Sequence, residues 1–339
     1  MKKTAIALAM ASLAGSAYAQ NVTLYGNFDM SVQQTKSTTA TGTSSTATTQ
    51  LGGTGTQLST PVLGVRGSED LGGGLKAGFQ AEGNINPSTG GMGSLATNSN
   101  STSSVPNILF NRQLNVSLEG GFGKVTVGRT GDLVDSLEGY ANFNQIFDTE
   151  AASANGIGGK NANTVRYDTP KFQGFSAGAS YSSNPIGTSS TGAAIDDGNT
   201  VSTVAVQYSD GPLTVGGAFG RANVTGTLVE GKIDTYFAGY NFGMADVRIQ
   251  RTAQLDGTNS RSIQTNEISA SIPLGSGLTA VVHAEKASDS TTANAYTQYG
   301  ASIQKALSKR TQVYGGLRDR NMSATTDTTV FTAGIVHSF

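Results

Sequence analysis

Cysteine and tryptophan are absent from this chain of 339 residues, histidine occurs twice and proline only seven times. Without cysteine there can be no disulfide framework and no thiolate metal or redox site. Acid–base chemistry has only His283 and His337 to draw on for imidazole. No Gly-x-Ser-x-Gly motif and no histidine pair at metal-binding spacing occurs, and "GGTGTQ" at 52–57 lacks the Lys-Ser/Thr ending of a phosphate-binding loop. Charge is also scarce, at 13% of residues against 37% hydrophobic, which excludes an extended disordered chain. Glycine is plentiful, 45 residues, but no Gly-X-Y repeat runs along the chain, so a collagen-like helix is excluded. After residue 19 no apolar run is long enough to make a membrane-spanning helix, which needs about 20 residues.

What is present begins with Lys2 and Lys3, the apolar run "AIALAMASLA" and the small-residue site Ala17-Tyr18-Ala19. That is the pattern of a secretory signal peptide over 1–19, with Gln20 as the first mature residue. The remaining chain carries 20 basic and 23 acidic residues, a formal net charge of −3. Such a balance gives no support for a nucleic-acid partner. The reading is an exported protein without a membrane helix.

The exported part alternates. "FSAGASYS" sets Phe175, Ala177, Ala179 and Tyr181 against Ser176, Gly178 and Ser180. "TYFAGYNF" aligns Tyr236, Ala238, Tyr240 and Phe242, and "ADVRIQR" opposes Val247 and Ile249 to Arg248 and Gln250. "NEISASI" places Ile268, Ala270 and Ile272 opposite Ser269 and Ser271. A period of two is the signature of strands. Short turns punctuate them: "DLGGG" (70–74), "GGFG" (120–123), "KFQG" (171–174), "SDGPL" (209–213), "FGMA" (242–245), "PLGSG" (273–277) and, with the least turn chemistry, "ALSKR" (306–310). Longer polar connectors lie between, such as "TKSTTATGTSSTATTQ" from Thr35 and "SNPIGTSSTGAAIDDGN" from Ser183.

Seven turns join fourteen strands, and "NVTLYGNFDMSVQQ" and the terminal "TTVFTAGIVHSF" bring the count to sixteen. No linker divides the chain, so 20–339 reads as one domain. A soluble all-β protein would use strands near 5–6 residues with the oily face packed inside. Here the strands read as 9–12 residues, small or polar side chains oppose the aromatic face, and short turns alternate with long loops. That pattern predicts an all-β, sixteen-stranded antiparallel transmembrane barrel with short periplasmic turns and long extracellular loops. Closure leaves no strand edge in lipid. It also explains a chain that stops on Phe339, an apolar ring at the membrane edge.

"LGVRGSEDLGGGLKAGFQAE" (63–82), "FNRQLNVSLEGGFGKVTVGR" (110–129), "VRYDTPKFQGFSAGASYS" (165–182) and the terminal "GIVHSF" resemble the general porins of β-proteobacteria, which include the neisserial porins. The resemblance covers Asn21 to Phe339. It implies a homotrimer in the outer membrane of a Gram-negative bacterium, surrounded by lipid and lipopolysaccharide. It also implies assembly by the barrel-assembly machinery through the C-terminal strand and Phe339. The activity implied is passive passage of ions and small hydrophilic solutes, with no enzyme chemistry, cofactor or metal.

The family's third loop folds into the lumen, and here it would be 130–163. Independently, that stretch is the longest interruption on the loop side, and loops of this length are usually functional. It carries Asp132, Asp135, Glu138, Asp148 and Glu150. The preceding loop, 86–107, would latch onto a neighbouring subunit. Basic wall residues of the family's constriction match at Arg112 and Arg166, with Arg129 and Arg66 as further candidates, whereas Val62 stands where another arginine is common. Parity aims Arg112 and Arg129 at lipid unless a bulge, plausibly at Gly128, re-aims them. Acids on the loop and bases on the wall would set a field across the pore, giving weak selectivity with a slight anion lean resting on Arg112 and Arg166. Two other readings stay open, an outer-membrane hydrolase and a surface adhesin or substrate-specific channel. His283 is expected to face the lumen and His337 to face outward.

Overall fold

In the computed structural model the alternating segments hydrogen-bond into one closed ring. The structure describes residues 21–39, 45–51, 57–91, 95–96, 104–105, 108–137, 139–147, 156–183, 198–223, 230–256, 261–290, 295–322 and 326–339. The signal segment 1–19 and the candidate residues Glu138, Asp148 and Glu150 lie outside them. The barrel strands are β1 (Thr23–Thr39), β2 (Val62–Gly72), β3 (Leu75–Asn84), β4 (Gln113–Gly120), β5 (Gly123–Gly131), β6 (Lys160–Asp168), β7 (Phe175–Ser183) and β8 (Thr200–Asp210). They continue as β9 (Leu213–Asn223), β10 (Gly231–Asn241), β11 (Asp246–Asp256), β12 (Arg261–Gly275), β13 (Leu278–Asp289), β14 (Tyr296–Ala306), β15 (Thr311–Met322) and β16 (Thr326–Ser338). Each pairs antiparallel with the next, and β1 pairs with β16 from Asn27↔Ser338 to Thr39↔Thr326.

One seventeenth strand, Ser45–Leu51, belongs to the same sheet without adding a barrel position. It pairs with Val32–Thr38 of β1, while β2 pairs with Thr23–Asn27 on that same edge. Ser45–Leu51 and β2 therefore share one place in the ring, and the barrel is sixteen strands around. This corrects the reading of 35–50 as connector. "STATTQL" is rich in strand-forming threonine, yet it is polar on both faces and gives no alternation to read.

All seven short turns join consecutive strands as the sequence predicts. The least typical one, at 306–310, is built without glycine. Leu307 and Ser308 both donate their N–H to the Thr311 carbonyl, at 2.9 and 3.2 Å, and the Ser308 hydroxyl accepts from Arg310 and Thr311. A serine side chain thus supplies the local bonding that Asp or Asn provides elsewhere.

The barrel is inside-out relative to a soluble fold. On β1, Phe28, Met30 and Val32 are exposed outward, while Asp29, Ser31 and Gln33 are buried within. On β4, Leu114, Val116 and Leu118 face out between lumen-facing Asn115 and Ser117. Tyr240 packs on Phe242 near the turn side, and Phe175 on Tyr208, ring centroids 4.7 and 4.8 Å apart. These rings form the turn-side girdle that tyrosine and phenylalanine supply in the absence of tryptophan. At the seam, Phe339 exchanges backbone bonds with Gly26 (3.1 and 3.3 Å) and sets its ring 5.4 Å from Phe28. The final residue closes the ring on the lipid side.

Candidate pore constriction

β5 and β6 pair directly as far as Gly131↔Lys160, and the chain between them turns into the lumen. A single-turn helix, α1 (Leu133–Leu137), leads in, and a 3-10 turn, Gln145–Phe147, lies further along. Asp132 starts the helix. It is fully buried, accepts from the Asp135 N–H at 2.8 Å as an N-cap, and accepts from Gly158 at 2.9 Å across the base of the loop. Burial pushes its carboxyl up from 3.8 to about 6.

The sign follows from linkage. The docked carboxyl holds its proton more tightly than a free one, so docking gains stability as pH falls from about 6 towards 4 and is least stable above 6. We expect loop-derived current noise to fall between pH 7 and pH 5 in the wild type and to stay flat in Asp132→Asn. Identical pH profiles would contradict this.

Two apolar contacts seat the loop on the wall. Val134 and Ile157 pack with Val201, Ala218, Ala222 and Ile233. Ile146 and Phe147 pack with Val281 and Tyr314, and Phe147 stacks on His283, centroids 5.0 Å apart and 7° from parallel. The wall makes room by lacking side chains: a methyl at Gly220 would overlap Ile157, and one at Gly300 would overlap the Phe147 ring. Polar tethers line the same path. Thr203 Oγ1 accepts from Leu133 (3.1 Å), Gln250 Oε1 from Ala141 (3.2 Å) and Ser302 Oγ from Asn144 Nδ2 (3.1 Å), and Gln298 Nε2 donates to the Phe147 carbonyl. On the far side Gln145 Nε2 donates to Thr60 Oγ1 at 2.6 Å. The segment therefore touches wall strands β7 to β11 and β13 to β15 and the approach to β2. That is an object lying across the lumen.

The arginines are placed as follows. Arg166 faces the lumen, pairs with Asp168 at 2.8 Å, and donates from Nη1 to the Gly131 carbonyl (3.0 Å) and to Ser136 Oγ (2.8 Å). It clamps the loop entrance. Arg112 precedes the first residue of β4, so strand alternation does not govern it, and its Nε meets Glu82 Oε1 at 2.6 Å. Tyr25 donates to the other oxygen of Glu82 at 2.9 Å.

Arg129 is not brought to this cluster. The expected irregularity exists, but Gly128 pairs with Thr164 and Thr130 with Asn161, so the surplus residue lies on β6, where Asn163 takes φ +50°. Arg129 stays in register with outward Leu114 and donates to the Asn111 carbonyl at 2.8 Å. Arg66 projects inward nearer the turns, over the Tyr25 ring at 4.9 Å, and lines a lumen recess with Lys76, Glu119 and Lys124. Asp135 bonds Lys160 at the loop base. Val62 stands opposite Asn27 and leaves that position uncharged.

Alternation alone did not single out several wall groups. Arg248 pairs with Asp246 at 2.7 Å, donates to the Tyr140 carbonyl at 3.2 Å and lies 4.1 Å over the Phe143 ring. Arg318 and Arg320 also face inward, and Arg320 fixes the Gln298 amide at 2.8 Å. Arg166 with Asp168, and Arg248 with Asp246, are opposite charges two residues apart on one strand face. That signal was in the sequence. His283 is buried on the lumen side with Ser269 Oγ at 2.7 Å from Nδ1, and His337 is exposed beside Thr311.

Residues 4–325 match the profile of a Gram-negative porin family. The chain belongs to that family. The porin is 34% identical to outer membrane porin protein 32 of Delftia acidovorans, over 94% of this chain and 89% of the relative. It is 35% identical to the major outer membrane protein P.IB of Neisseria meningitidis serogroup B, over 54% of this chain and 50% of that protein. Among solved structures, an anion-selective porin from Comamonas acidovorans superposes with a TM-score of 0.75 at 27% identity, covering 94% of this chain and all of that one. A Salmonella typhi porin, OmpF, shares the fold at a TM-score of 0.66 and 17% identity. The porin thus forms a water-filled outer-membrane channel for passive passage of ions and small hydrophilic solutes.

Proposed function

We propose that the loop between β5 and β6 is the narrowest part of this channel and that ion selectivity there is weak. One observation carries the reading. Three lumen-side wall cations, Arg112, Arg166 and Arg248, each hold a carboxylate within 2.8 Å, and the last two also grip the loop. Paired charges add little net field, and salt screens the remainder over about 8–10 Å. A slight anion lean then comes from the turn-side lumen. There Arg66, Lys76 and Lys124 make no ion pair among the described residues, against Glu119 and Asp70. The similar Comamonas protein is described as anion-selective, in line with that direction.

The charge-neutral variant Arg166→Gln/Asp168→Asn isolates the clamp. It should leave the reversal potential in a KCl gradient near its small wild-type value while current noise rises as the loop entrance loosens. A clear shift of reversal potential without added noise would assign Arg166 to selectivity and overturn the clamp.

The remaining parts of the reading are a single domain over 20–339 after removal of 1–19, a homotrimer, and recognition of the Phe339 strand during assembly. Lipid and lipopolysaccharide would surround the wall. A structural neighbour from Vibrio cholerae occurs in a trimer form, at a TM-score of 0.58. Conductance closing in three equal steps would support the trimer here. A catalytic role finds no support in the histidines, since His283 lies under Phe147 and His337 sits on the outer face.

A further inference from the structure

The outer wall changes character at one height. On β12 the outward face runs Ile272, Ala270 and Ile268, then becomes polar at Asn266 and Gln264. On β13 Val282 and Ala284 are followed by Lys286, about 26 Å along the tilted strand from Leu278 at the turn and so about 20 Å higher. On β11 Ile249 is followed by Arg251. Register puts Arg251, Asn266 and Lys286 in one cross-strand row, with the half-exposed ring of Tyr236 at its end. The row marks where hydrocarbon gives way to headgroups on the long-loop side.

The two cations in that row are built differently from stray surface charges. Arg251 donates Nη1 to Asn266 Oδ1 at 2.9 Å and Nη2 to Gln264 Oε1 at 2.7 Å, which lays its guanidinium along the wall. Two of its five N–H groups are engaged and the others remain for an anion. Lys286 projects from two strands further on, about 10 Å away. Among the described residues no carboxylate lies within 4 Å of either. The nearest outward acid by register, Asp234, is held by Arg221 at 2.6 Å.

We propose that Arg251, Asn266 and Lys286 form a headgroup site for a phosphorylated glycolipid of the outer leaflet. The inference rests on the outer-membrane reading with the long loops outside. Charge and height select the occupant. A flat fork and a point cation suit phosphate oxygens, and an apolar wall below them suits the acyl chains of that same molecule.

The test titrates detergent-solubilised, folded full-length porin with lipopolysaccharide, with the same material after enzymatic dephosphorylation, and with inorganic phosphate. The partners are wild type and Arg251→Gln/Lys286→Gln, with Lys305→Gln at a turn as control. Two interfacial charges are expected to change affinity about 30-fold in all. Wild type and the control should bind lipopolysaccharide about 30-fold tighter than the double variant. The dephosphorylated lipid should bind all three alike, and inorganic phosphate should not displace the lipid. Equal affinities, or displacement by inorganic phosphate, would overturn the site. Bilayer conductance is read on the same samples: a variant that conducts normally yet binds unchanged refutes this site alone, whereas a non-conducting wild type refutes the channel itself.

Discussion

Excising 133–158 and closing Asp132 to Gly159 with a short Asn-Gly turn is expected to roughly double single-channel conductance or more, because pore width governs flow. The excision is geometrically mild. Gly131 and Lys160 are register partners, so the strand ends already stand side by side, as a hairpin turn requires. Its energetic consequence is larger. Val134, Ile157, Ile146 and Phe147 leave the wall, and each fully buried apolar side chain contributes about 1.5–3 kcal/mol. The barrel should persist, since its ring of strand pairings does not pass through the loop, but thermal unfolding should come earlier. Conductance equal to wild type, measured on a correctly folded barrel, would mean that this segment does not narrow the pore.

Val206→Arg is expected to cost about 2–4 kcal/mol and to lower the yield of folded porin sharply, because the side chain would enter hydrocarbon near mid-bilayer. Val206 is 48% exposed and lies on β8 between turn-side Tyr208 and the level of Tyr181. Its neighbour Gln207 lies on the opposite, lumen-facing side, beside Arg166 and Asp168. Gln207→Arg should therefore fold almost normally, with a modest change in conductance only. Unfolding in urea from lipid vesicles measures both.

Sixteen strands could be read in the sequence because side-chain period and turn chemistry are local. Phe175, Ala177, Ala179 and Tyr181 announce their face without help from any distant residue. Ser45–Leu51 could not be read, since its sequence does not alternate and its place is set by pairing with Val32–Thr38 of β1. The site was legible in part. Loop length and lumen parity pointed to the in-turned segment and to Arg166, but Arg112 stands outside a strand, where parity carries no information. Arg129 depended on which of two strands carries the surplus residue, and Asn163 rather than Gly128 settles that. Gln298 leaves no signal at all, because its partner is a backbone carbonyl 151 residues away. By contrast, the pairing of Arg166 with Asp168 follows from two positions of equal parity and opposite sign.

The absence of native cysteine makes a clean labelling scan possible. Single cysteines at 204 to 208, each carrying a nitroxide and reconstituted in bilayers, can be relaxed by oxygen from the lipid or by a water-soluble nickel chelate. Positions 204, 206 and 208 should respond to oxygen, and 205 and 207 to the chelate. Reversed preferences, or none with period two, would show that the oily side chains do not face lipid around a wet interior.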